Sequence, residues 1–137
     1  MRFGARALLH TRIIFRSVYG YKTRRTLRVI KAVGINLYVG LWQGPTEAQL
    51  AALSAAGVQV ICFQNEVGLA HRDDPTIVAW MNGHEPDNAQ RQADDSWGGP
   101  VASQKVISDY QRISVNDSTR PVLSVLGQRV ANDEWVG

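Results

Sequence analysis

The stretch INLYVGLWQGPTEAQLAALSAAGVQVICF, residues 35–63, decides the fold class of this chain. It opens with a β-prone apolar run at 35–41 and closes with a second such run at 58–63. Between the two runs, the spacing of apolar residues predicts a helix over 46–56. Two apolar strands joined by a helix are the unit from which parallel sheets are built.

The ends of this predicted helix carry recognisable capping residues. Thr46 is a good helix N-cap, and Gln49 stands at the capping-box position three residues later. Leu50 and Leu53 share one face of the helix. Gly57 is suited to end it, because glycine adopts the left-handed C-terminal conformation without a steric cost.

The same alternation continues on both sides of this unit. Before this unit, the pattern predicts a helix over 26–33 that ends at Gly34. After it, the pattern predicts a short helix that begins at Asp74-Pro75, a strand over 77–81 and a long polar loop over 88–100. The last predicted elements are a helix over 105–114, with Val106, Tyr110 and Ile113 on one stripe, a turn over 117–121 and a strand over 122–126. Apolar strands that alternate with helices indicate an α/β fold with a parallel sheet. Both an open doubly wound sheet and a closed eight-stranded barrel agree with this pattern. No GxGxxG or GxxxxGK[ST] motif follows a strand, which argues against a nucleotide-binding fold.

Charge is distributed unevenly along the 137 residues, whose formal net charge is +3. Residues 1–46 hold nine Lys and Arg and no acid, whereas the rest of the chain holds six Lys and Arg and all twelve acids. We expect residues 1–25 to be a basic segment that is disordered or foreign to the fold, and residues 26–137 to form one α/β domain. A transit-like or membrane-surface segment and a nucleic-acid arm are the functional alternatives for the basic segment.

Composition excludes several classes of protein. The chain is 45% hydrophobic and 20% charged, which is typical of a chain that builds a core. It has no run of 18 apolar residues and no apolar stretch long enough for a secretory signal, so we expect a soluble protein without a transmembrane segment. The single cysteine, Cys62, excludes an internal disulfide and is expected to be a small buried core residue.

Polar and aromatic side chains follow each predicted strand. They are Trp42 and Gln43 after the first strand, Gln64, Asn65 and Glu66 after the second, His84, Glu85 and Asp87 after the third, and Gln128 after the fourth. Reactive groups of parallel α/β folds gather at these carboxyl ends. His71 lies near Asp73, Asp74 and His84 in the sequence, but no HxH or HExxH motif occurs, and we expect neither a metal nor a cofactor.

The segment WMNGHEPD, residues 80–87, resembles the end of the fourth strand in (β/α)8-barrel glycoside hydrolases of the retaining, two-glutamate type. In that family an apolar strand carrying a tryptophan ends in a Glu-Pro dipeptide, and this glutamate is the general acid/base. The preceding DDPTIVAW, residues 73–80, is similar to the short helix that leads into this strand. The resemblance implies a partial barrel in which the runs 35–41, 58–63 and 122–126 are the second, third and fifth strands.

The same resemblance implies hydrolysis of glycosidic bonds with Glu85 as the general acid/base. Glycoside hydrolysis requires a carboxyl that donates a proton to the leaving oxygen. The substrate-binding residues that we expect are Trp42, Gln43, Gln64, Asn65, Trp80, His84, Asp87 and Gln128. Among them the tryptophans, with Trp97, offer flat faces for a sugar ring, and the amides offer hydrogen bonds to hydroxyls.

Two features depart from the family pattern. His84 stands where many of these enzymes have an asparagine that contacts the sugar. A full barrel takes about 250 residues, and no residue here corresponds to the nucleophilic glutamate of the seventh strand, so we expect a fragment that lacks the nucleophile. The alternatives are a non-catalytic carbohydrate-binding half-barrel and another barrel enzyme that uses Glu85 as a base. An open sheet edge would favour self-association, and no nucleic-acid partner is expected for the domain.

Overall fold

A computed structural model of the chain describes residues 13–15 and 24–132. The elements, in chain order, are β1 (Ile13–Phe15), α1 (Arg24–Ala32), β2 (Leu37–Val39), α2 (Glu47–Ala56), β3 (Gln59–Cys62), α3 (Glu66–Ala70), β4 (Ile77–His84), β5 (Gln90–Arg91), β6 (Trp97–Gly98), α4 (Ser103–Asn116), β7 (Val122–Val125) and α5 (Gln128–Ala131). No helix among these residues is long and apolar enough to cross a membrane.

The main sheet has the strand order β1-β2-β3-β4-β7. β2 pairs in parallel with both β1 and β3, and β4 pairs in parallel with β7. The predicted α/β class with a parallel sheet is therefore confirmed. β1 falls inside the basic segment 1–25, and the remainder of that segment before Arg24 lies outside the described residues.

The chain forms two compact units, Met1–Ala79 and Trp80–Gly137, and the boundary falls within β4. In the first unit the apolar residues of β2, β3 and the inner faces of α1 and α2 are buried. They include Leu27, Ile30, Leu37, Tyr38, Val39, Leu50, Leu53, Val60, Ile61 and Cys62. Burial of Cys62 agrees with its expected place in the core.

Helix α2 has the capping residues that the sequence predicts. The Thr46 backbone N–H donates to Gln49 Oε1 at 2.8 Å, and Thr46 Oγ1 accepts from the Gln49 N–H at 3.3 Å. Gly57 ends the helix with φ 61°. The helix is therefore specified at both ends by its own residues.

The predicted short helix at Asp74 is wrong. Asp74 Oδ1 accepts from the Thr76 N–H at 2.8 Å. A hydrogen bond to the N–H two residues later forms an Asx-turn, and no helix follows it. The short helix of this region is α3, eight residues earlier, and it begins after Asn65. Asn65 Oδ1 accepts from the Gly68 N–H at 2.8 Å and so caps the first turn.

The second unit also differs from the expected pattern at two places, the stretch 88–100 and helix α4. The stretch 88–100 is not a loop throughout, because β5 and β6 pair as an antiparallel hairpin. Helix α4 is longer than predicted, and of its expected stripe Ile113 is buried whereas Tyr110 is 50% exposed. The turn at 117–121 and the strand β7 lie where the sequence predicts them.

Candidate functional site

The carboxyl end of β4 has an unusual backbone. The register between β4 and β7 shifts between Met81 and His84, which marks a bulge. Gly83 within the bulge has φ 78°, and Glu85, directly after the strand, has φ 49°. A glutamate in the left-handed region is uncommon and costs energy, and such residues concentrate at functional sites.

Glu85 is half-buried and held in place by hydrogen bonds at both its backbone and its side chain. Its N–H donates to the Val125 carbonyl of β7 at 2.7 Å. Asn88 donates twice, from its N–H to the Glu85 carbonyl at 3.0 Å and from Nδ2 to Oε2 of the carboxylate at 2.9 Å. The carboxyl group is therefore oriented at the carboxyl end of a parallel strand, which is where α/β folds place reactive groups.

Asp87 is completely buried two residues further on. Its Oδ1 accepts from the Gly127 N–H at 2.6 Å, and its Oδ2 accepts from the Val130 N–H at 3.0 Å. Burial raises the pKa of this carboxyl, but the backbone N–H groups outweigh that effect and hold the pKa below its ordinary value. Asp87 thus caps the start of α5, and both of its oxygens accept from the backbone.

His84 and Gln128 complete the candidates at this end of the second unit. His84 is the last residue of β4, is exposed and lies in register with Val125. Gln128 is the first residue of α5, also exposed, and its carbonyl accepts from the Asn132 N–H. The contacts of Glu85 and Asp87 with Val125 and Gly127 bring the ends of β4 and β7 together, as the sequence predicts for neighbouring parallel strands.

Trp80 lies in β4, and no part of it is exposed. Its Nε1 donates to Asp117 Oδ2 at 2.8 Å, and the Arg120 guanidinium lies 5.9 Å from the ring centroid. A completely buried ring offers no face to a sugar, so Trp80 belongs to the core and we leave it out of the proposed site. Trp97 on β6 is 71% exposed and therefore has an accessible aromatic face, as the sequence led us to expect.

The other four candidates lie in the first unit, at the ends of β2 and β3. Asn65 Nδ2 donates to the carbonyls of Gln43, at 3.2 Å, and of Pro45, at 2.8 Å. Trp42 is half-buried and packs edge-to-face on Phe63, with ring centroids 5.6 Å apart. Gln64 is half-buried and Gln43 is exposed. The hydrogen bonds of Asn65 secure the loop after β2, so this side chain has a structural role.

Sequence reasoning missed two polar residues of the second unit. Asn88 orients the Glu85 carboxylate, but an asparagine in a polar turn carries no signal of such a role. Asp117 is buried and accepts from Trp80, from Thr119 and, at 3.2 Å, from Arg120. Burial raises the Asp117 pKa, and these donors together bring it below its ordinary value. In the sequence, this residue looked like part of an ordinary turn.

Among the described residues, no group of three or more His, Cys, Asp and Glu side chains is placed to hold a metal ion. Comparisons of the chain with known protein families, with curated proteins and with solved structures found no match. The case for a function therefore rests on the sequence resemblance and on the geometry at the end of β4.

Proposed function

We propose that the chain is part of a (β/α)8 barrel of the glycoside hydrolase type and that Glu85 is its general acid/base. The observation that carries the proposal is the placement of Glu85. The residue is half-buried, directly follows a bulged parallel strand and has a left-handed backbone conformation. Its carboxylate is oriented by a hydrogen bond from Asn88. Leu41 and Asp95 are also left-handed, so the backbone of Glu85 supports the proposal only together with the oriented carboxyl.

The strand order supports the barrel part of the proposal. Strands that follow one another in the chain are neighbours in the order β1-β2-β3-β4-β7, and β5 and β6 form a separate hairpin. A doubly wound sheet would reverse direction at a switch point, whereas a barrel adds its strands in sequence. β1 also supplies the strand that must precede β2 if β2 is the second strand of the barrel.

The chemistry proposed for Glu85 is proton donation to the leaving oxygen of a glycosidic bond. A retaining mechanism also needs a nucleophilic carboxyl roughly 5–5.5 Å from the acid. Asp87 does not suit that role, because both of its oxygens accept backbone N–H groups and it is buried. We therefore propose sugar binding and proton donation for this chain, with Asp87 in a structural role and not as the nucleophile.

The proposal is tested by supplying that nucleophile. Azide added to the chain with a panel of phenyl glycosides attacks the anomeric carbon, the bond from that carbon to the leaving oxygen breaks, and Glu85 gives its proton to that oxygen. The products are a glycosyl azide and phenol. We expect Glu85→Gln to lower the rate of phenol release roughly a hundredfold or more, since general acid catalysis contributes about that much.

Glu47→Gln is the matched control, because Glu47 is an exposed glutamate of the first unit. It should leave the rate unchanged. Equal rates in the two variants would refute the assignment of Glu85. Sugar binding without any azide-dependent cleavage would support the second candidate, a non-catalytic carbohydrate-binding half-barrel. The observation in favour of that candidate is that Asp87, the carboxyl nearest to Glu85 in the sequence, is buried and bonded to backbone N–H groups.

We also propose that the chain self-associates through β7. In the described part of the chain, β4 is the only strand that pairs with β7, and all four residues of β7 are half-buried. The strand carries no charge and no proline, which are the usual devices that protect an open edge. Leu126, directly after it, is 46% exposed.

A further inference from the structure

The side chain of Asn88 fills a space that exists only because residue 127 is glycine. A Cβ added at Gly127 would lie 2.5 Å from Asn88 Nδ2 and 2.8 Å from its Cγ. Gly127 has φ −98° and ψ −154°, an extended conformation that alanine also adopts. A side chain at residue 127 would therefore displace the Asn88 amide without straining the backbone.

The same amide group holds the carboxylate of Glu85. Asn88 Nδ2 donates to Oε2 at 2.9 Å, and the Asn88 N–H donates to the Glu85 carbonyl. Gln90 Nε2 donates to the carbonyls of Glu85, at 3.1 Å, and of Asn88, at 2.8 Å. The turn is thus held at its backbone independently of the contact between the two side chains.

We propose that Asn88 is a positioning residue for Glu85 and that Gly127 sets the place of its amide. This inference rests on the function proposed above and deepens it. The carbonyl oxygen of a protonated carboxyl accepts a hydrogen bond better than its hydroxyl oxygen does, so the amide N–H on Oε2 favours the proton on Oε1. Asn88 thereby fixes both the rotamer of the carboxyl and the oxygen from which the proton leaves.

The test compares two leaving groups in the azide reaction of the full chain. A phenyl glycoside has a poor leaving group and needs the proton, whereas a dinitrophenyl glycoside has a good one and needs it little. We expect Asn88→Ala to slow release of phenol about tenfold or more, because misplacement of a reacting group is costly. Release of dinitrophenol should change less than about twofold, since that step depends little on the acid.

Gly127→Ala reaches the same amide from β7 and leaves the Asn88 side chain intact. It should reproduce the selective loss, and the double variant should be no slower than either single variant because all three remove one contact. The matched control is Gly98→Ala. A Cβ at Gly98 would lie 2.2 Å from Gln92 Nε2, so that variant displaces another side-chain amide of the same unit without touching Glu85.

A loss confined to the phenyl glycoside in both variants, and absent from Gly98→Ala, supports the inference. Equal loss with both leaving groups, or no loss, overturns it while leaving the role of Glu85 intact. Absence of azide-dependent cleavage by the unaltered chain overturns the proposed function and this inference together. Amide NMR spectra of each variant show whether the fold is retained, and either variant that keeps it decides the question.

Discussion

At the scale of the residue, Glu85 has a backbone conformation that disfavours any side chain. Its φ of 49° places a side chain where glycine is normally found. The left-handed conformation costs an L-residue roughly 1–2 kcal/mol. Replacing Glu85 with glycine should relieve this steric cost, because glycine adopts the left-handed conformation freely.

We expect Glu85→Gly to abolish azide-dependent cleavage. Its free energy of unfolding should stay within about 1 kcal/mol of that of the unaltered chain, or exceed it, because the relieved strain offsets the entropy that glycine adds to the unfolded chain. Urea denaturation measures this. Glu66→Gly, in the first turn of α3, should instead lose about 1 kcal/mol. A larger loss for Glu85→Gly than for Glu66→Gly would show that relieved strain does not offset the lost contact with Asn88 and the added entropy of glycine.

Asp87 predicts a pH dependence of stability. Its pKa in the folded chain lies below the ordinary value of 3.8, because backbone donors outweigh burial. The unfolded chain therefore binds this proton more readily, so the contribution of Asp87 is complete above pH 3.8 and is lost as the pH falls through the folded pKa.

We expect the free energy of unfolding, measured in urea from about pH 5 down to about pH 2.5, to fall less steeply in Asp87→Asn than in the unaltered chain. Asp73→Asn, at an exposed position, controls for the loss of one negative charge. If Asp87→Asn gives the same slope as the unaltered chain, the hydrogen bonds to Gly127 and Val130 do not stabilise the ionised form.

At the scale of the elements, α2 and α4 differ in how their first turns are capped. α2 has the reciprocal capping box of Thr46 and Gln49. α4 begins after Ala102, whose backbone is extended as an N-cap requires but which has no side chain to accept a hydrogen bond. Helix α4 therefore begins without a side-chain cap.

Two substitutions test this contrast. Thr46→Ala should lower the free energy of unfolding by about 1 kcal/mol, and Ala102→Ser should raise it by roughly 0.5–1 kcal/mol, because each changes one capping hydrogen bond. Both are measured by urea denaturation at neutral pH. A change of the same sign in both variants would mean that the two N-termini do not differ in capping.

At the scale of the whole molecule, β7 lies at one end of the strand order of the main sheet. We expect the chain to associate with itself, and the mass measured by light scattering to rise with concentration. Leu126→Lys should suppress this association because it places a charge beside the edge. Val115→Lys, at an 85% exposed position on α4, is the control and should not. A single monomeric mass at all concentrations would exclude the edge as an interface.

The sequence by itself determined the features that depend on neighbouring residues. Helix α2 is specified by residues within one turn of each end, and β2, β3 and β7 by short apolar runs. These could be predicted because the interactions that decide them are local. The position of Glu85 at the end of a parallel strand followed from the same local pattern.

Only the tertiary structure decided the features whose partners are distant in the chain. Asn65 caps α3 while it also holds carbonyls 20 and 22 residues away. Asp87 meets its two backbone donors 40 and 43 residues later, and the hairpin of β5 and β6 forms without an apolar pattern. Which backbone groups need a partner is settled only once the strands are paired, so no local pattern predicts which polar side chain will supply it.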